Sequence, residues 1–205
     1  KQISIARCLV LAMRITYVGE LGWELHLPVE YAPTVYNKII EAGSPLGLRK
    51  AGYRAIETLR LEKGYRAWSS DIGPDYTPDE AGLGWAVKMK SNISFKGRDA
   101  IAKHRAEGIK KIMATFTTDS NVILSGRETI YRNGERCGWL SSAGFGHTIG
   151  KFIGMGYVRS DRYIDHDFVL SGDYELEVAT KRVRANVCLK PLYDPKLEKV
   201  CLLYT

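Results

Sequence analysis

The sequence predicts an α+β protein in two parts, a mixed helix-and-strand segment over residues 1–110 and a small antiparallel barrel or sandwich over 111–205. Three observations predict this. Apolar residues recur at helical spacing between Val35 and Leu59. From Lys111 onward a steady two-residue alternation replaces that period, beginning with Ile112, Ala114 and Phe116. Several short apolar runs then follow with turns between them, and one of those turns is Asn133-Gly134, the strongest short hairpin signal.

Taken in order, Met13, Ile15 and Tyr17 alternate with Arg14 and Thr16, and Trp23, Leu25 and Leu27 alternate with Glu24 and His26. Gly19-Glu20-Leu21-Gly22 lies between them, so the pattern predicts a β-hairpin. A helix follows Pro28, with Val35/Ile39 and Tyr36/Ile40 as i,i+4 pairs and Gly43 as its C-terminal cap. A second helix is expected from Lys50 to Lys63, with an Ala51–Ala55–Leu59 stripe and Gly64 as its stop. A loop is expected over Ser69–Glu80, then a basic helix from Arg98 to Glu107 between Gly97 and Gly108. Further strands are expected at 152–158, 168–170, 174–178 and 183–189.

Thirty Lys and Arg against 23 Asp and Glu leave a net charge of +7, and apolar residues make up 45% of the 205. That composition excludes a disordered or fibrous chain. The longest apolar run, Cys8–Met13, is too short for a membrane span. The chain begins Lys-Gln-Ile with no signal-peptide pattern, as expected of a fragment or processed product. Cysteines at 8, 137, 188 and 201 form no C-x-x-C pair, and His26, His104, His147 and His166 stand alone, so no metal site is predicted. Asp71, Asp75, Asp79 and Glu80 miss the calcium-loop spacing and read as a solvated loop. No G-x-G-x-x-G, phosphate loop or G-x-S-x-G occurs. The basic run Arg98, Lys103, Arg105, Lys110 and Lys111 has no aromatic interleaved, so it reads as a solvated helix face and not as a nucleic-acid site.

Five segments carry a resemblance. They are Arg14-Ile15-Thr16-Tyr17-Val18-Gly19-Glu20-Leu21-Gly22-Trp23-Glu24, Leu59-Arg60-Leu61-Glu62-Lys63-Gly64-Tyr65-Arg66, Asp71 with Thr77-Pro78 and Glu80-Ala81-Gly82-Leu83, Phe95-Lys96-Gly97-Arg98-Asp99-Ala100, and Gly154-Met155-Gly156-Tyr157-Val158. In this order they resemble the signatures of the aminomethyltransferase (glycine cleavage T-protein) superfamily. The resemblance implies part of the folate-binding domain over 1–110 and the C-terminal barrel over 111–205. Gly52–Glu57, Leu61–Trp68 and Ser171–Tyr174 look most like the sarcosine and dimethylglycine dehydrogenase branch. In that branch an FAD domain oxidises an N-methyl amino acid and the folate domain captures the one-carbon unit as 5,10-methylenetetrahydrofolate.

By this resemblance the chain is expected to be about the C-terminal quarter of its parent, with the flavin half and an aspartate beside the reacting folate nitrogen upstream of Lys1. FAD then belongs to the parent and not to this chain, and electron-transfer flavoprotein is a possible partner of the parent. The implied folate ligands are Glu24, Tyr17, Arg54 (or Arg66) for the anionic tail, and Tyr193; the catalytic residues within the chain stay unassigned. Glu24 suits the pterin because one carboxylate accepts two adjacent N–H donors. The arginine that T-proteins carry on the second helix aligns with Ile56, flanked by Arg54 and Arg60. The resemblance implies a matrix location in a eukaryote and a cytoplasmic one in a bacterium, with no membrane or nucleic-acid partner. The same architecture occurs in the regulatory subunit of pyruvate dehydrogenase phosphatase, so a non-catalytic module is the alternative.

Overall fold

The computed structural model of the chain describes residues 1–201. It opens with a three-stranded antiparallel sheet, β1 (Gln2–Ile5), β2 (Cys8–Met13) and β3 (Glu24–His26), in that spatial order. Cys8, Val10 and Ala12 point to one face and are buried, while Leu9, Leu11 and Met13 point to the other and are exposed. Helix α1 (Ala32–Gly43) closes the first face, where Val35 and Ile39 pack with Cys8, Val10, Leu25 and Leu27.

The predicted hairpin is displaced. Its first strand is 8–13 instead of 13–17, and the register sets Met13 opposite Glu24 and Leu11 opposite His26. Residues 14–23 leave the sheet. The Ile15 N–H turns back to the Met13 carbonyl (3.1 Å), and Thr16 Oγ1 accepts the Val18 N–H (3.2 Å). Gly19, at φ +79°, lies against the Lys63 side chain, where an added Cβ would stand 2.8 Å from Lys63 Cδ. Only glycine lets the loop rest there without strain. Local hydrogen bonding and contact with the next helix thus override the alternation of Met13–Tyr17.

Helix α1 keeps Gly43 as its last helical residue, and the cap position falls on Ser44 instead. One 3-10 turn follows, Ser44–Leu46, and the left-handed residue is Gly47 at φ +81°. Helix α2 (Tyr53–Glu62) starts later than Lys50, and its buried residues are Arg60, Leu61 and Glu62, not the alanine stripe. Helix α3 (Arg98–Glu107) lies between Gly97 and Gly108, both at positive φ, as predicted. Its basic face is only partly solvated. Arg98 donates to the carbonyls of Met89, Ser91 and Ile93, and Arg105 grips both oxygens of Asp79 at 2.8 and 2.9 Å.

The second half is a closed antiparallel barrel. Its strands are β4 (Ile109–Thr118), β5 (Thr129–Arg132), β6 (Glu135–Gly146), β7 (Lys151–Ile164), β8 (Tyr174–Val178) and β9 (Lys181–Cys188), in the order β4-β7-β6-β5-β8-β9. This settles barrel against sandwich. The β5–β6 turn has Asn133 and Gly134 both at positive φ, the geometry its sequence demands. Ile112, Ala114, Phe116, Ile130, Leu140, Val158 and Leu176 fill the interior. Residues 112–118 of β4 are buried on both faces, because Met113 turns outward onto Leu61 of α2 with Ile153, Met155 and Tyr157. The Gly154–Val158 motif is explained by packing, since a Cβ at Gly156 would meet Ile130 Cδ1 at 2.9 Å and Leu140 Cα at 3.0 Å.

Residues 168–170 are not a strand. They end helix α4 (His166–Leu170), because Asp165 caps it by accepting the Phe168 N–H at 2.8 Å. A last short helix, α5 (Glu198–Cys201), follows the tail. Among the described residues no helix is long and apolar enough to cross a membrane.

Candidate functional site

The centre of the molecule is a buried polar network where α2 meets the barrel. Arg60 is 0% exposed and uses its whole fork. Nη1 donates to Asp71 Oδ2 (2.6 Å) and the Tyr65 carbonyl (3.1 Å), Nη2 donates to Ser142 Oγ (2.8 Å) and Glu57 Oε1, and Nε donates to Glu57 Oε1 (3.0 Å). Asp71 is also fully buried and accepts from the Ala67 N–H (2.9 Å), Ser141 Oγ (2.5 Å) and Ser142 Oγ (2.7 Å). The Tyr157 hydroxyl donates to the Asp71 carbonyl at 2.9 Å. Burial alone would lower the Arg60 pKa; the Glu57 hydrogen bond and the Asp71 charge outweigh it and hold it above the ordinary value. Burial pushes the Tyr157 phenol up, and Tyr76 and Asp71 add to the rise.

This arrangement corrects the acidic loop. Asp71 is the buried counter-ion of α2, and Asp79 and Glu80 are spent on Arg105 and Lys111. It also accounts for the Arg60–Lys63 segment residue by residue. Leu61 enters the second core cluster, and Glu62 Oε1 accepts the N–H groups of Thr148 (2.6 Å) and Ile149 (3.1 Å). Lys63 Nζ donates to the carbonyl and to Oδ2 of Asp194, both at 2.7 Å. Four successive side chains therefore have four different partners, which no single helical stripe could encode.

Of the expected ligand residues, Tyr17 comes nearest to this network. Glu24 is on the uncovered sheet face, half-exposed, with His26 Nε2 3.3 Å from its Oε2. The register places Met13 and Leu11 beside it on that face. Tyr17, on the loop before Glu24, donates to the Arg66 carbonyl (3.0 Å), and its ring lies near-parallel to Tyr65 with centroids 6.0 Å apart. Tyr193 reaches the same loop through a hydrogen bond from its hydroxyl to Glu20, and its N–H donates to the Glu62 carbonyl (2.9 Å). The loop 14–23 thus carries Tyr17, leads into Glu24 and is held by Tyr193. Arg54 stands apart, exposed near the start of α2, with no ion pair or hydrogen bond among the described residues. Arg66 turns inward to the carbonyls of Ala81 (3.0 Å) and Gly64, and burial lowers its pKa.

Sequence reasoning missed Asp71, Glu57 and the Lys63–Asp194 clasp. The i,i+3 spacing of Glu57 and Arg60 was a legible signal. The other two are long-range partners with no local signature.

Family profiles match both halves of the chain. The GCVT N-terminal domain matches residues 1–91, and the glycine cleavage T-protein C-terminal barrel domain matches residues 111–194. Human mitochondrial sarcosine dehydrogenase is 43% identical over 206 residues, covering 100% of this chain. The chain spans 22% of that relative's length. Mouse mitochondrial pyruvate dehydrogenase phosphatase regulatory subunit is 34% identical over 195 residues, covering 89% of this chain and 22% of that protein. The crystal structure of the glycine cleavage system aminomethyltransferase T from Bartonella henselae superposes with a TM-score of 0.78 at 24% identity, over 95% of this chain and 52% of that one, and supports the fold alone. With both domain profiles in family order, the chain belongs to the aminomethyltransferase (glycine cleavage T-protein) superfamily.

Proposed function

We propose that this chain is the tetrahydrofolate-binding part of a sarcosine- or dimethylglycine-dehydrogenase-like flavoprotein and helps capture a formaldehyde-level carbon as 5,10-methylenetetrahydrofolate. The observation that carries the reading is the 43% identity to sarcosine dehydrogenase along the whole chain. The residues fit the ligand. A flat ring with an N–H edge needs apolar surface beside a carboxylate, and the open sheet face offers Leu11 and Met13 beside Glu24.

Bound tetrahydrofolate supplies N5 and N10, the two amines that take up the carbon. The chain's own part is positioning and exclusion of water, worth several kcal/mol. Glu24 holds the pterin edge, Tyr17 walls the ring, Tyr193 secures the loop that joins them, and Arg54, with no ion pair or hydrogen bond among the described residues, meets the anionic tail. FAD, N-methyl amino acid oxidation and an electron-transfer flavoprotein belong to the rest of the parent, with a matrix location in a eukaryote.

Calorimetric titration of tetrahydrofolate into the parent protein tests the reading, wild type beside Glu24→Gln. Binding that weakens about tenfold or more in the variant, ~1.4 kcal/mol, supports it. Unchanged binding removes Glu24 from the site. No binding to the wild type favours a second reading, a non-catalytic module, for which the 34% identity to the phosphatase regulatory subunit speaks.

A further inference from the structure

One carboxylate of the buried network keeps an oxygen free of hydrogen bonds among the described residues. Asp71, wholly buried, already neutralises Arg60. Glu57 adds a second negative charge. Its Oε1 takes both Nε and Nη2 of Arg60, and half of its side chain faces solvent. Oε2 accepts none of the hydrogen bonds of the described residues. With Arg66, buried and within reach of the Asp71 charge, the two arginines balance the two carboxylates, and the accessible carboxylate of the four groups is Glu57.

This carboxylate is held in place before any ligand arrives. A buried guanidinium fixes its rotamer, so little side-chain entropy remains to be lost on binding. Tyr53, Glu57 and Arg60 lie one above another on α2, from an 85%-exposed ring to a wholly buried charge. Tyr17 approaches from the loop that leads to Glu24. It meets the cluster through Tyr65, whose carbonyl accepts from Arg60 Nη1 (3.1 Å) and whose ring lies near-parallel to that of Tyr17 with centroids 6.0 Å apart.

We propose that Glu57 is a specificity-determining residue of the site, its free oxygen accepting N–H donors of the reduced pterin ring that an oxidised pterin lacks. The inference rests on the folate reading above. Tetrahydrofolate carries N–H groups at N5 and N8 where folic acid has unprotonated ring nitrogens. A fixed carboxylate with a free oxygen attracts the former and repels the lone pairs of the latter.

The test is calorimetric titration of the full-length protein with tetrahydrofolate and with folic acid, wild type beside Glu57→Gln. The variant should bind tetrahydrofolate about tenfold or more weakly while folic acid changes less than about threefold, so the discrimination ratio falls. Equal losses for both ligands, or no change, overturn the proposal and leave the folate reading standing; a wild type that binds neither overturns both. If Glu57→Gln does not fold, carbodiimide labelling of wild-type carboxylates decides. Tetrahydrofolate should shield Glu57 more than folic acid does, and equal labelling with and without ligand refutes the role.

Discussion

Replacing Asp71 with alanine should destabilise the fold by about 3 kcal/mol. Removing one partner of a buried ion pair costs ~3–5 kcal/mol, because the other charge stays buried without compensation. Here Arg60 keeps Glu57, which places the loss at the lower end of that range. The deleted carboxylate also leaves the Ala67 N–H and two serine hydroxyls without their acceptor, though the hydroxyls can rotate elsewhere. In a chain of this size each kcal/mol moves Tm by ~2–4 °C, so the melt should fall by about 6–12 °C. Scanning calorimetry reads the shift, and urea unfolding should show a lower midpoint at unchanged slope. Arg60→Met with Asp71→Leu removes both charges and should melt above Asp71→Ala, since apolar replacement of a buried pair is often neutral. A single variant that melts within about 2 °C of wild type would refute the view that this pair carries the junction.

Gly156→Ala should cost ~1–3 kcal/mol by overpacking, because the new methyl meets strand backbone as well as the Ile130 side chain; a melt at or above wild type would contradict that packing. Burial pushes the Cys137 thiol up to about 11, so at pH 8 it is almost wholly protonated and gains thiolate only as pH rises toward that value. Iodoacetamide should therefore modify native Cys137 at least about 100-fold more slowly than a free thiol, with the difference lost in denaturant; mass spectrometry of quenched samples measures both rates.

The barrel half was the most legible in sequence because its information is local. Ile112, Ala114 and Phe116 alternate as an inward-facing strand does, and Asn133-Gly134 names its own turn. Where the reading failed, something distant or short decided. Met13–Tyr17 alternates like a strand, yet Gly19 and Lys63 draw the loop off the sheet. Residues 168–170 are apolar enough for a strand, yet a single cap from Asp165 bends them into a helix. Asp71 resembles any loop acid until Arg60 is seen opposite it. Glu24 and Tyr17 are candidates only through family resemblance; alternation alone could put Glu24 on the polar face of its strand and no more. Glu57 was overlooked because an exposed helical Glu usually means nothing, and it gains meaning only once its arginine is known to be already neutralised.

Strand β4 has an implication for how the chain is made. Seven consecutive residues, 112–118, end with no solvent-facing side, but the surfaces that cover them are synthesised at different times. Leu61, which meets the outward side, precedes them, whereas β7 and β9, which flank the strand and close the barrel, begin only at Lys151 and Lys181. On a ribosome adding ~5–20 residues per second, this segment waits several seconds for its hydrogen-bonding neighbours. For that interval it is a bare, uncharged, strongly β-prone edge, open to any other nascent strand. Its threonines at 115, 117 and 118 keep it from being wholly apolar, and α2 gives one side of it an early place to dock. Crowded, fast expression should make this stretch, more than the solvent-exposed loops, the place where the young chain misassembles.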